Sequence, residues 1–525
     1  MKKTIKRILP VTALLAYFIA NLVTIMDFPT IHSDELWLKG LTEEMIRKSS
    51  FSVTEPFYDL YPRVVHPFRW LYHSLEALFF TIFGSSAATS RMLSLVAASL
   101  ALIVFYRILS KTLQGWLLPI AGTLTLALNI QFLYSARFGR QDSIILLLLV
   151  TAYGIASGAM LNGRRAPLTL ALITLLGIGV HPNSFLIGMT VASVLIVRLF
   201  MKEIRLKDLV SYFIVTGAGF AAYIAAGNLM NPGFLTGYLK FGESLGIEGS
   251  PIGRLEGFYW FWYKLYHRIG GTYDLFDIRI EIVLMIASIL LIPLLALAMR
   301  NRGSGIFNMT FLPWSAILGI NLGLLVIGRY NQTSVVFLIP FIILVLMTMI
   351  DKILESPERR WLAAATSISL LVLVPSGLYG GLQSYSGSKP YKLSFEAMID
   401  EIDGIVSDDS VVLGNLNSID AFDGQRFYDI RNLAFLEDNG MTIEDYIKER
   451  GITVILLHEE MDYISKTAPT WDFLYGSGTY MDELLVYISE KTELIGEFEN
   501  PLYAMRITRY SGTYPWKTRI YRVRP

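Results

Sequence analysis

No cysteine occurs in the 525 residues of this chain. That excludes disulfides, thiolate catalysis and Cys-ligated metal sites, and leaves the compartment open. Charge is scarce as well: 17% of residues are Asp, Glu, Lys or Arg, where a soluble globular chain carries roughly 25%. The net charge of +1 gives no electrostatic footprint for a nucleic-acid partner. No His-Glu-x-x-His zinc helix is present, and Gly476-Ser477-Gly478 lacks the rest of any phosphate-loop fingerprint. Neither a repeat nor a low-complexity stretch is visible.

Apolar residues fill the space that charge vacates. The chain is 53% hydrophobic, and its mean hydropathy is +0.48. Apolar runs of about 20 residues recur, long enough to cross a bilayer as helices. The pattern predicts a polytopic α-helical membrane protein with about eleven spans, near 8–26, 86–108, 116–135, 142–161, 166–180, 184–200, 208–228, 280–299, 309–328, 332–350 and 360–379. The basic N-terminus followed by an apolar run resembles a signal peptide. Its apolar part is too long for one and no small-residue cleavage site precedes Asp27, so it reads as a retained first span.

Lys and Arg in the short loops set the orientation. Lys2, Lys3, Lys6 and Arg7; Arg107 and Lys111; Arg164 and Arg165; Arg198, Lys202, Arg205 and Lys207; Arg300 and Arg302; and Lys352, Arg359 and Arg360 all fall on one side of the alternating topology. The short loops opposite carry only Arg137, Arg140 and Arg329. The expectation is a cytoplasmic N-terminus and an extracytoplasmic C-terminal region, in the plasma membrane of a prokaryote.

Three longer regions then lie outside. Residues 27–85 hold two predicted interfacial helices, Glu35 to Lys48 and His66 to Gly84. Residues 229–279 carry an aromatic core, Gly257 to Phe276. It reads either as an interfacial belt or as the wall of a lipid or sugar site. From about 385 the composition changes, and residues 385–525 read as a small extracytoplasmic α/β domain attached to a transmembrane module over 1–384. Its strands are expected at Ser410 to Asn415 and Thr453 to His458, with a helix between them ending at Gly451 and a later strand within Ala504 to Tyr510.

On this topology the ionisable residues near span ends converge on the outer face: Asp34 and Glu35, Arg91, Arg137, Arg140 and Asp142, His181, and Arg329 with Tyr330. Charge at membrane depth is costly and usually functional or paired. Each also has an ordinary reading. Asp34 or Ser33 could cap the following helix, Asp142 could cap the fourth span and pair with an arginine, His181 before Pro182 could be a helix end, and Arg329 could snorkel. Taken together, carboxylates beside arginines can deprotonate a hydroxyl and hold a phosphate leaving group.

A first span followed by a loop bearing Asp34-Glu35 resembles the C-type glycosyltransferase fold, and within it the protein O-mannosyltransferases and the aminoarabinose transferases that modify lipid A. The segments around Arg91, Ala136 to Val150, Gly179 to Met189 and Arg329 to Leu344 carry the rest of the resemblance, over about 10–380. It implies a polyprenyl-phosphate-linked sugar donor and inverting transfer to a hydroxyl of a protein, glycolipid or cell-envelope glycan acceptor. Asp34 would be the general base and Glu35 its supporting acid. Arg91, Arg137, Arg140, Arg329 and Tyr330 would be candidates for the donor phosphate or substrate, with Asp142 and His181 lining the site. A divalent metal serves some related folds; the first loop here lacks the paired aspartates associated with it, so no cofactor is assigned. Two other readings remain at this stage: a transporter or flippase of lipid-linked sugars, and a noncatalytic subunit of an envelope-glycan complex.

Overall fold

The computed structural model describes residues 2–63, 65, 69–161, 163, 165–237, 240, 250–299, 305–328, 330–354, 393–422, 424–467, 469–503 and 514–525. Its first part is helical. Helices α1 (Lys2–Val23), α2 (Ser33–Lys48), α3 (Trp70–Phe83), α4 (Ala87–Thr112), α5 (Leu117–Ala127), α6 (Ile130–Ala136), α7 (Asp142–Ala156), α8 (Ala166–Val180), α9 (Phe185–Phe200) and α10 (Leu206–Met230) follow one another. After them come α11 (Pro251–Tyr266), α12 (Arg279–Met299), α13 (Gly305–Ile327) and α14 (Ile339–Leu354). Helices fall on every predicted span except 360–379, which lies outside the described residues. Among the described residues, five helices are long and apolar enough to cross a membrane, or six if a bent pair forms one span.

That bent pair is α5 and α6, where an uninterrupted span over 116–135 was expected. The two axes meet at 66°. Asn129 accounts for the break. Its Oδ1 accepts the Gln131 and Phe132 N–H groups at 3.0 and 3.3 Å, capping α6, while its Nδ2 donates to Glu281 on α12 at 3.0 Å. A side chain that supplies the missing acceptors makes a helix restart cheap inside a packed core. At α8 the helix stops at His181, whose extended backbone suits the residue before Pro182.

The second part begins with α15 (Phe395–Asp403) and folds as a layered α/β unit. Strands β1 (Val412–Gly414), β2 (Phe427–Asp429), β3 (Val454–His458), β4 (Thr492–Glu499) and β5 (Lys517–Val523) form one sheet in the order β2-β1-β3-β5-β4. The pairs β1–β2 and β1–β3 are parallel; β3–β5 and β4–β5 are antiparallel. Helices α16 (Ile443–Arg450), α17 (Glu459–Thr467) and α18 (Ser477–Lys491) complete it. The strands expected at 410–415 and 453–458 are present, as is the helix before Gly451. That helix starts on a Thr442–Asp445 capping box and stops on Gly451 at φ 62°, a left-handed position that glycine takes without strain. The strand expected within 504–510 lies outside the described residues.

The two parts share a core. Ile31, Leu36, Phe57 and Tyr58 from the first long connection pack with Phe395, Met398, Leu416, Ile419 and Ile520. This overturns the expectation that α2 lies on the membrane as an amphipathic helix. Leu36, Leu38, Gly40, Leu41, Thr42, Glu44 and Met45 are all buried, on more than one face, because the second part covers the side that would have met solvent. Helix α3, by contrast, leaves Leu78, Ile82 and Phe83 exposed, as an interfacial helix would.

Candidate active site

The site is built on the N-terminus of α2. His32, not Ser33 or Asp34, is its N-cap. The His32 Nδ1 accepts the Asp34 N–H at 3.0 Å, and Glu35 Oε1 accepts the His32 N–H at 3.0 Å. The ring's Nε2 lies 2.7 Å from the Thr272 carbonyl, an acceptor only, so Nε2 carries the proton and Nδ1 is bare. His32 is therefore neutral, and its 3.9 Å approach to Asp34 Oδ1 is not an ion pair.

The capping box sends the two acids in different directions. Glu35 is fully buried. Its Oε2 accepts from Arg91 Nε and from the Gly139 N–H, both at 2.7 Å, and its Oε1 accepts from Arg91 Nη2 at 2.8 Å. The remaining Arg91 nitrogen donates to the Ile25 and Pro29 carbonyls. A Cβ on Gly139 would stand 3.0 Å from Glu35 Oε2 and 3.1 Å from Ser90 Cβ, so any larger residue would crowd both. Arg91, expected near a donor phosphate, has no surface for one: it is fully enclosed, with all three nitrogens bound by the protein.

Asp34 faces a cavity of about 800 Å³, counting its open mouth. Its wall includes Asp34, Arg140, His181, Asn183, Tyr273 and Asn331 on one side. Trp37, Tyr58, Tyr61, Arg63 and Arg69 come from α2 and the connection after it, and Leu416 and Arg431 from the second part. Asp34 Oδ2 receives the Tyr273 hydroxyl at 2.5 Å and lies 3.5 Å from Arg140 Nη1. Burial opposes the Arg140 charge, but Tyr273, Asp142 and Asp34 outweigh it and hold the guanidinium firmly protonated.

Arg140, Asp34 and His181 all line this cavity. Asp142 stands behind Arg140, 3.8 Å from its Nε, and accepts from Thr333 at 3.1 Å; it aims the arginine without reaching the cavity. Arg137 packs over Phe28 and is absent from the cavity wall. Tyr330 stacks on Phe261 of α11 and donates to the Arg254 carbonyl, also away from the cavity. Arg329 lies outside the described residues. His181 serves both readings given to it, ending α8 and accepting the Asn183 N–H while lining the wall.

Sequence reasoning missed Arg63, Arg69, Arg431 and Tyr273. Arg63 is gripped by both Glu55 oxygens and lies within 5.3–5.6 Å of the Trp37, Tyr58 and Tyr61 ring centres. Arg69 sits 4.7 Å over Trp37. Two arginines in a connection on the side otherwise poor in basic residues were a usable signal for Arg63 and Arg69. For Arg431 there was none. Tyr273 came from the aromatic segment, whose helical half leaves Tyr259, Trp260, Tyr263 and Tyr266 exposed as a belt would.

Among the described lining residues one carboxylate faces four guanidiniums. That suits an anion and is a poor donor set for a hard divalent cation. No group of three or more His, Asp or Glu side chains arranged to hold a metal ion occurs among the described residues.

No family model and no curated protein sequence matches the chain. Solved structures do. ArnT from Cupriavidus metallidurans bound to undecaprenyl phosphate superposes over 97% of both chains at 12% identity and a TM-score of 0.52. Its apo form gives 13% identity and the same TM-score and coverage. The archaeal oligosaccharyltransferase AglB from Archaeoglobus fulgidus, in complex with an inhibitory peptide and a dolichol-phosphate, covers 87% of this chain and 70% of its own at 12% identity and a TM-score of 0.43. The chain has the C-type glycosyltransferase fold, as the resemblance implied.

Proposed function

We propose that this protein is a membrane glycosyltransferase that moves a sugar from a polyprenyl-phosphate donor to an acceptor hydroxyl, with inversion. The observation that carries the reading is the placement of Asp34, the one carboxylate among the described lining residues, in a cavity with Arg63, Arg69, Arg140 and Arg431. Asp34 takes the proton of the acceptor hydroxyl. The freed oxygen lone pair forms a bond to the anomeric carbon as the bond from that carbon to the phosphate oxygen breaks. The polyprenyl phosphate departs with the electron pair, and the arginines meet the charge that develops on it. Arg140, held by Asp142 and lying 3.5 Å from Asp34, is an arginine beside the base. A structural relative crystallised with undecaprenyl phosphate supports this class of donor.

The same reading places eleven crossings in the prokaryotic plasma membrane, the N-terminus in the cytoplasm, and the cavity and residues 385–525 outside, with a transmembrane module over 1–384. The acceptor is a protein, glycolipid or envelope glycan. Arginine lining of the cavity favours catalysis over a noncatalytic subunit. Placement of Asp34, Arg140, Asp142 and His181 at helix ends, instead of along helix lengths, favours it over a flippase.

The test is sugar transfer from labelled polyprenyl-phosphate sugars by purified protein. Asp34→Asn keeps the size of the side chain and removes the base, so transfer should fall by about 10²- to 10⁴-fold. Full activity in that variant would remove Asp34 from the chemistry.

A further inference from the structure

Among the described lining residues, Arg431 is the cavity arginine that comes from the second part of the chain. Its position is set twice over. Asp429, two residues earlier, accepts its Nε at 2.7 Å, its Nη2 at 3.0 Å and its backbone N–H at 3.0 Å. Its neighbour Asn432 is fully buried and ties down the connection that carries Tyr58, Tyr61 and Arg63. Asn432 Oδ1 accepts the N–H groups of Asp59, Leu60 and Tyr61 at 3.2, 3.2 and 3.1 Å, and Nδ2 donates to the Phe57 carbonyl at 3.0 Å. The Arg431 guanidinium then stands 4.8 Å over the Tyr58 ring, at the cavity wall.

This clamp uses two of the three guanidinium nitrogens. Nη1 has no acceptor among the described residues, and the side chain is only 9% exposed. A guanidinium so deeply buried with one donor face unused gains most from an anion delivered into the cavity. Asp34, the carboxylate among the described lining residues, is already met by Tyr273 and Arg140.

We propose that Arg431 binds the donor's lipid-linked phosphate through Nη1, so that the second part of the chain supplies a substrate-contacting residue and completes the cavity. The proposal rests on the reading of the donor as a polyprenyl-phosphate sugar. It gives residues 393–525 a part in donor binding that their position in the chain does not suggest.

The experiment measures binding of undecaprenyl phosphate and of undecaprenol, its uncharged counterpart, to the purified full-length protein in detergent. The proteins compared are the native chain, Arg431→Gln, Arg431→Lys and Asp429→Asn. Loss of one charge-assisted hydrogen bond weakens binding by about 10- to 100-fold. Arg431→Gln should lose that much affinity for the phosphate and none for the alcohol, Arg431→Lys should recover part of it, and Asp429→Asn should lose an intermediate amount. Equal losses for both lipids would mark Arg431 as structural, and an unchanged phosphate affinity would remove it from the site; either result overturns the inference. A native protein that fails to prefer the phosphate over the alcohol overturns the donor reading itself, and this inference with it.

Discussion

Asp34 and Glu35 are adjacent in sequence and chemically alike, yet the fold gives them opposite tasks. Asp34 shows its carboxylate to the cavity, while Glu35 spends both oxygens on Arg91, Gly139 and the helix cap. A third acid near them, Asp274, titrates in an accessible range. Burial raises its pKa to about 6, with Arg91 pulling it down and Glu35 pushing it up. An acid whose pKa is higher folded than unfolded favours folding when protonated. Its contribution is full below about pH 4 and is lost as pH rises through about 6. The native protein should therefore lose thermal stability between pH 4 and 6 relative to Asp274→Asn, which stays neutral throughout. Melting curves in detergent at half-unit steps would show it; parallel pH profiles for the two proteins would exclude Asp274 as the group responsible.

At the scale of elements, α2 anchors the site, and the sequence revealed its existence better than its surroundings. The capping signal at Ser33–Asp34 located the helix start to within a residue. The apolar spacing of Leu36, Leu38, Leu41, Met45 and Ile46 predicted the helix itself, though Ile46 is exposed. What the pattern could not disclose is that a second layer, more than 350 residues later, covers the face that Asp420 meets through Lys39 at 3.2 Å. Long-range packing leaves no periodic trace in the segment it covers, which is why α2 read as a membrane-surface helix and Arg431 went unseen. The spans were legible for the opposite reason: an apolar run announces its solvent residue by residue. Arg140, Asp34 and His181 stood out because they sit at predicted span ends, whereas sequence cannot say that Arg91 is already paired with Glu35. Pairing decides what Glu35→Gln should do. It leaves the Arg91 guanidinium buried without a full countercharge and should destabilise the protein by about 3–5 kcal/mol. Asp34→Asn, at the cavity wall, should alter stability far less. Chemical denaturation of both variants would separate the structural acid from the functional one, and equal effects would contradict the division.

At the scale of the whole molecule, the cavity exists only where the two parts meet, so their junction is part of the site. Phe57, Tyr58, Leu416 and Ile419 supply apolar contact there, but apolar contact alone does not fix a register. Asn432 does. It satisfies three consecutive backbone N–H groups and one carbonyl of the 57–61 segment from a fully buried position. Asn432→Leu keeps the branching and the number of side-chain heavy atoms and removes every one of these bonds. Each buried donor left without an acceptor costs about 1–3 kcal/mol, which the segment can avoid only by moving toward water. Movement would carry Tyr58, Tyr61 and Arg63 away from Arg431 and open the cavity on that side. Hydrogen exchange at the amides of Asp59, Leu60 and Tyr61 should accelerate in the variant, while amides in α4 and α7, packed within the helical part, keep their native protection. Sugar transfer should fall together with that local opening. If exchange at 59–61 stays at its native rate, the junction is held by its apolar core and Asn432 is dispensable to the shape of the site.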